Sequence, residues 1–167
     1  MTINHKRVLR IMREMGIQAK IKGRYIATTN SKHNQPLYPN LIKEQTVTSI
    51  NQVWCSDITY ISILFSFVYL AVIIDIYSRR IVGYAIGKSL SPQLTIAALK
   101  MAIVNRNTEK LIHHSDQGIQ YACQDYIKII KNNSIRISMS EKGNPSDNAY
   151  AESFIKTLKQ EEVYLWQ

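Results

Sequence analysis

The sequence predicts an α/β fold: a mixed five-stranded sheet flanked by helices, with a basic N-terminal helical arm. Three observations predict it. Residues 53–63, 67–76 and 81–86 are runs rich in Ile, Val, Tyr and Phe with short links, as in an antiparallel meander. After them, helical and strand-like runs alternate, which implies crossovers and parallel pairing. Ahead of them lies a segment whose charge differs sharply from the rest.

The elements follow in order. Residues 5–15 predict a helix, because Val8, Ile11, Met12 and Met15 recur at spacings of three and four. Asn4 can cap it and Gly16 can end it. Two readings stay open: a small helix packed on a neighbour, or part of a DNA-binding unit. Residues 23–50 lack a period and contain Pro36 and Pro39, so they read as a linker into a body that begins near Asn51. The meander comes next. Ser91 and Pro92 then open a helix to about Asn105, with Leu94, Ala97, Ala98, Met101, Ile103 and Val104 expected on its apolar face. Residues 111–114 predict a fourth strand ending at Ser115 and Asp116. Residues 123–131 predict a helix burying Tyr126, Ile127 and Ile130, and residues 135–139 a fifth strand. Residues 140–148 have loop composition, and residues 149–163 predict the last helix. The order is β-β-β-α-β-α-β-α, and the expected division is 1–50 for arm and linker and 51–167 for the core.

The chain of 167 residues carries a net charge of +9. Residues 1–43 hold nine Lys/Arg, among them Arg7 and Arg10, against the single acid Glu14. That is +8 of the total; the remaining residues are close to neutral. Such an arm suits the phosphates of DNA. No uncharged run of 18 residues is present, so no membrane partner is expected. Cys55 and Cys123 form neither a CxxC pair nor a disulfide framework, which fits a reducing, cytoplasmic setting.

Three acids stand where this layout can gather them. Asp57 is in the middle of the first strand, Asp116 at the carboxyl end of the fourth, and Glu152 at the start of the last helix. Adjacent strands lie about 5 Å apart, so the two aspartates can meet at a cleft. At about 100° per residue, Ala151, Phe154, Ile155 and Leu158 form one apolar stripe of that helix. Glu152, Lys156 and Lys159 fall beside the stripe, on a face free to meet a phosphate. Clustered carboxylates repel one another unless cations bind, and hard oxygen ligands select Mg²⁺ or Mn²⁺. Two such ions could serve a phosphodiester by activating the attacking oxygen and stabilising the leaving one. Taken singly, each acid has an ordinary explanation as a strand-end acid, a turn residue or a helix N-terminal acid.

At these residues the chain resembles a known family. Asp116 and Glu152 have 35 residues between them, the D-D-35-E spacing of retroviral integrases and their transposase relatives. The words NQVWCSDITYI (51–61), IDIYSRRIVG (74–83), HHSDQGIQY (113–121) and NPSDNAYAESF (144–154) are similar to the second reading frame of IS-three family insertion sequences. Lys159 matches the Lys/Arg that follows the Glu in that signature. The resemblance implies an RNase H-like fold, divalent metal dependence with Asp57, Asp116 and Glu152 as catalytic and metal-ligating residues, and 3′-end cleavage followed by strand transfer. It also implies DNA ends and target as partners, an oligomer on DNA and a bacterial, nucleoid-associated location. Family members usually continue past the Glu-bearing helix, so this chain is expected to be C-terminally truncated. The rival readings are an RNase H-like nuclease without strand transfer and a catalytically idle DNA-binding fragment.

Other residues bear on the site. Two readings stay open for Lys142, Asn144 and Tyr150, in and beside the 140–148 loop: contact with the substrate strand, or an ordinary surface loop. Asp75 is expected to pair with Arg79 or Arg80 rather than ligate metal. Of His113 and His114, at most one can face the acids, because neighbours in a strand point to opposite faces. Trp54 and Tyr60 are expected as core or cleft-wall aromatics. His5 and His33 lack cysteine neighbours, so the zinc module of retroviral integrases is not expected.

Overall fold

The computed structural model describes residues 4–17, 33–63, 66–141 and 148–163. The sheet contains β1 (Val53–Ile63), β2 (Ser66–Asp75), β3 (Ile81–Gly87), β4 (Ile112–Ser115) and β5 (Arg136–Met139) in the spatial order β3-β2-β1-β4-β5. The meander β1-β2-β3 is antiparallel, while β4 pairs parallel to both β1 and β5. The helices are α1 (His5–Glu14), α2 (Pro92–Asn105), α3 (Ile119–Ala122), α4 (Gln124–Asn132) and α5 (Ala149–Leu158). A π-helical turn, Lys159–Val163, prolongs α5. The mixed sheet with flanking helices is the architecture expected from the sequence.

The sheet has an apolar layer on each face. Alternation along β1 sends Trp54 to one layer and Val53 and Cys55 to the other. The first layer packs under α2 and α4 through Leu94, Ala98, Leu99, Tyr126 and Ile130. The second lies under α5, which buries Ala151 and Ile155 and partly covers Phe154 and Leu158, the stripe expected for it. Burying one Ile side chain stabilises by about 1.5–3 kcal/mol, so Ile155 is a principal anchor of α5. Residues 33–50 form neither helix nor strand, yet they are laid against the body. Met139 donates its N–H to the Pro39 carbonyl (3.3 Å), Leu41 donates its own to Ser138 Oγ (2.8 Å), and Lys43 pairs with Glu141 (3.1 Å).

Three local findings differ from the sequence expectation, and a fourth bears on a reading left open. First, α2 turns Leu94, Thr95, Ala98, Leu99 and Ala102 inward and leaves Ala97, Met101 and Val104 exposed. This helix is apolar on every side, so periodicity could not choose its face; Gly83 does. A Cβ at Gly83 would strike the Ala98 carbonyl and lie 2.9 Å from Ala102 Cβ. The Gly-Ala-Ala contact lets β3 and α2 approach closely. Second, α3 is a short helix that went unforeseen. Third, Asp75 pairs with backbone and serine rather than with Arg79 or Arg80. Its buried carboxylate accepts from the Asn51 N–H (2.6 Å), the Ser78 N–H (2.7 Å) and Ser78 Oγ (2.8 Å). Fourth, α1 begins at its Asn4 cap, whose side chain accepts from the Lys6 N–H (2.9 Å), but it buries none of its residues.

Candidate active site

Unequal strand lengths create the cleft. β4 pairs with β1 only from Val53 to Cys55, and then stops. Asp57 stands two residues beyond the last pair, and Asp116 is the first residue after β4. Asp57 follows Val53 and Cys55 on the face that α5 covers. Asn148, buried at the start of α5, donates Nδ2 to the Ser56 carbonyl (3.3 Å) and so fastens that helix end beside Asp57. Glu152 is exposed in the first turn of α5, outside the buried stripe.

The three acids share one electrostatic field. Asp57 is partly buried, and its carboxyl is pushed up from 3.8 to about 7. Loss of water is the largest cause, followed by the Asp116 charge; Glu152 adds to it. The Ile58 N–H, which donates to Asp57 Oδ1 (2.8 Å), and the Lys159 ammonium pull the other way. Asp116 Oδ1 accepts from the Gly118 N–H (2.9 Å), which fixes the turn after β4. Lys159 lies 4.5 Å above the Tyr60 ring; burial lowers its pKa and the Asp57 charge opposes that. Among the described residues, no three His, Cys, Asp or Glu side chains are gathered closely enough to hold a metal ion. By donor chemistry, though, Asp57, Asp116 and Glu152 fit a hard divalent cation: their oxygens are the right type and their mutual repulsion is relieved by positive charge.

Neighbouring groups are built for structure. The Cys55 thiol is pushed up to about 12, chiefly by burial and also by the Asp57 charge, so it stays protonated. Both histidines are interior. His113 is held neutral by burial, with its pKa lowered to about 3, and its Nε2 bonds Tyr126 Oη (3.0 Å); His114 Nδ1 bonds Ser138 Oγ (2.8 Å). Trp54 is fully buried in the core.

The basic residues expected to meet DNA are spread out. Lys156 is exposed on α5 beside Glu152, and Lys159 is partly buried a turn further on. Arg7 and Arg10 are exposed on α1, where Arg10 lies 3.6 Å from Glu14. Lys142 and Asn144 lie outside the described residues. Sequence reasoning missed two features. Tyr60 is the platform for Lys159. Arg79 stacks on Tyr150, with its Cζ 4.1 Å from the ring centroid, although both residues sit inside the quoted words.

This arrangement, an aspartate within one strand, a second just past the end of the strand beside it and a glutamate on a helix over the sheet, is that of an integrase-type core, and comparison with known proteins agrees. Residues 48–145 match the integrase core domain, and residues 1–25 match an HTH-like domain. The chain belongs to the integrase core domain family. It is 43% identical to the insertion element IS600 31 kDa protein of Shigella sonnei, over 96% of this chain and 60% of that protein. It is 36% identical to transposase InsF of insertion sequence IS3A from Escherichia coli strain K12, over 96% of this chain and 57% of that one. The chain thus spans about three-fifths of the length of these relatives. A simian T-cell lymphotropic virus intasome structure superposes with a TM-score of 0.62 at 22% identity, covering 80% of this chain and 46% of that one. The HTLV-2 integrase catalytic core in complex with magnesium (dimeric form) gives 0.55 at 20%, covering 66% and 69%. These likenesses establish the RNase H-like integrase fold. Among the described residues, no helix is long and apolar enough to cross a membrane.

Proposed function

We propose that this chain is the catalytic core of a DNA transposase that cuts and joins insertion-sequence ends. The observation that carries this reading is the shared field of the three acids: burial raises Asp57 most, and Asp116 and then Glu152 raise it further, although the three come from β1, the end of β4 and α5. Asp57, Asp116 and Glu152 would hold divalent cations, with Mg²⁺ or Mn²⁺ and two ions the natural complement. Bound there, the ions would activate the attacking oxygen and neutralise charge on the leaving one. The chain's own residues do the rest. Asp57 must give up its proton before cations bind, so loading competes with protonation near neutral pH. Lys156 and Lys159 hold phosphates on the open side of α5, and Lys142 and Asn144 meet the substrate strand. Residues 1–50, with Arg7 and Arg10, form an arm on the DNA backbone ahead of a core at 51–167. The HTH-like match at residues 1–25 supports that role. Two ends must be bridged, which calls for an oligomer on DNA.

The test is a joining assay with a labelled element-end oligonucleotide and Mn²⁺. The expected outcome is joined product from the wild-type chain and a loss of about a thousandfold in Glu152→Gln. Cut but unjoined product would point to a nuclease. DNA binding with neither product would point to an idle fragment. Turnover by Glu152→Gln at the wild-type rate would overturn the site.

A further inference from the structure

A second binding feature lies beside the first turn of α5. A groove of about 470 Å³ runs between the 42–47 segment, the turn after β2 and the first turn of α5. Ile42, Val47 and Ile76 give it apolar walls, and Tyr77, Arg79 and Tyr150 border it. The arginine is presented by a built turn. Asp75 accepts three hydrogen bonds from Asn51 and Ser78, and its carbonyl accepts the Arg79 N–H (2.9 Å). Arg79 itself holds a left-handed backbone, with φ of 61°, which costs energy in a residue with a side chain. The guanidinium carbon lies 4.1 Å from the Tyr150 ring centroid, and among the described residues no side-chain or backbone acceptor is bonded to the guanidinium. Tyr77 is 54% exposed and stacks on no other ring among the described residues. Lys43 also lines the groove but is paired with Glu141 at 3.1 Å, whereas Arg79 has no acidic partner among the described residues.

We infer that this groove binds an unpaired nucleotide of DNA, with its base against Tyr77 and its phosphate on the edge of Arg79. The inference rests on the reading of this chain as a DNA-handling protein. An aromatic ring beside apolar walls suits the flat face of a base, and that face is hidden in a duplex. The guanidinium edge offers paired N–H donors to phosphate oxygens. The larger cavity, about 720 Å³ beside Asn51 and Arg136, sets Glu109 among its cations and lacks a ring. It suits a polyanion less well. Tyr150 lies two residues before Glu152, so a nucleotide held here would belong to strand flanking the cut.

The experiment measures binding, without metal, of the full chain to three fluorescent DNAs: a blunt duplex, the same duplex with a three-nucleotide overhang, and that overhang made abasic. The wild type is expected to prefer the overhang, and to lose that preference when the bases are removed. Tyr77→Ala should weaken overhang binding by about fivefold or more while changing blunt-duplex binding less than about twofold. Tyr77→Phe, which keeps the ring, should bind as wild type. Arg79→Asn tolerates the left-handed turn; it should lose overhang affinity and lower the salt dependence by about one ion. Equal losses on blunt and overhang DNA, or an abasic overhang bound as tightly as the intact one, would overturn the inference. Because no cutting is measured, either result leaves the joining assay to judge the acids separately. A wild-type chain that binds none of the three DNAs overturns both readings.

Discussion

Two aspartates on neighbouring strands, Asp57 on β1 and Asp75 at the end of β2, show how one fold uses the same side chain in opposite ways. Asp75 is 1% exposed and accepts three hydrogen bonds at 2.6–2.8 Å, from Asn51 and Ser78. Its charge is matched by donors, and the turn after β2 is organised around it. Asp57 accepts the N–H of its own neighbour, Ile58, and otherwise faces the charges of Asp116 and Glu152 against the opposing Lys159. A carboxylate surrounded by donors is part of the scaffold. One pushed up to about 7 by burial and by other acids is poised for a cation.

This contrast can be broken by mutation, and the largest effect should be on chemistry. Asp57→Asn is expected to cut strand joining by about a thousandfold while leaving the fold and DNA binding intact, checked by joining assay and circular dichroism. Asp75→Asn should leave joining far less affected; equal loss in both would erase the distinction. Next in size is stability. Asp75→Ala leaves the Asn51 and Ser78 donors unmatched in a buried place and should cost about 2–4 kcal/mol in urea denaturation. Asp57→Asn should cost nothing in metal-free protein above neutral pH.

The third effect is the pH dependence of that stability. Asp57 binds its proton more tightly in the folded chain than in the unfolded one, with about 7 against 3.8. Its contribution to stability is therefore complete below about pH 4 and is lost as pH rises through about 7. The loss is at most about 4 kcal/mol, reduced by the solvent that reaches this half-buried carboxylate, and Asp57→Asn should flatten the curve. Saturating Mg²⁺ should restore stability above pH 7, because the cation replaces the proton. A wild-type curve that is flat between pH 4 and 8 without metal would contradict the field described here. The smallest effect belongs to Lys159. Lys159→Met removes the cation that opposes the acids, so the midpoint of that curve should move slightly upward, and DNA affinity should fall by a few-fold.

Much of this was legible in the sequence because local patterns agreed with the fold. The β1 run was read at 53–63 and spans those residues. The stripe of Ala151, Phe154, Ile155 and Leu158 is the face α5 buries or half-buries, and this leaves Glu152 outside it. What was not legible depended on contacts between distant segments. The inward face of α2 is chosen by Gly83, a residue of another element, while α2 itself is apolar all round. The partners of Asp75 come from Asn51, 24 residues away, and from a turn, whereas the adjacent arginines made a more obvious expectation. At most one of the histidines beside Asp116 was expected to face the acids; tertiary packing takes both into the interior.

The early end of β4 has a consequence for how the molecule tolerates change. A four-residue strand beside an eleven-residue one leaves a step in the sheet, and Asp57 and Asp116 stand at that step. Adding residues to β4 would extend its ladder past Asp57, fill the step from below and carry Asp116, the residue that follows the strand, away from Asp57. Lengthening β1 at its far end, beyond Ile63, would leave the step unchanged. Evolution is thus free to vary the tip of the β1–β2 ribbon, while the length of its shortest neighbour is fixed by geometry.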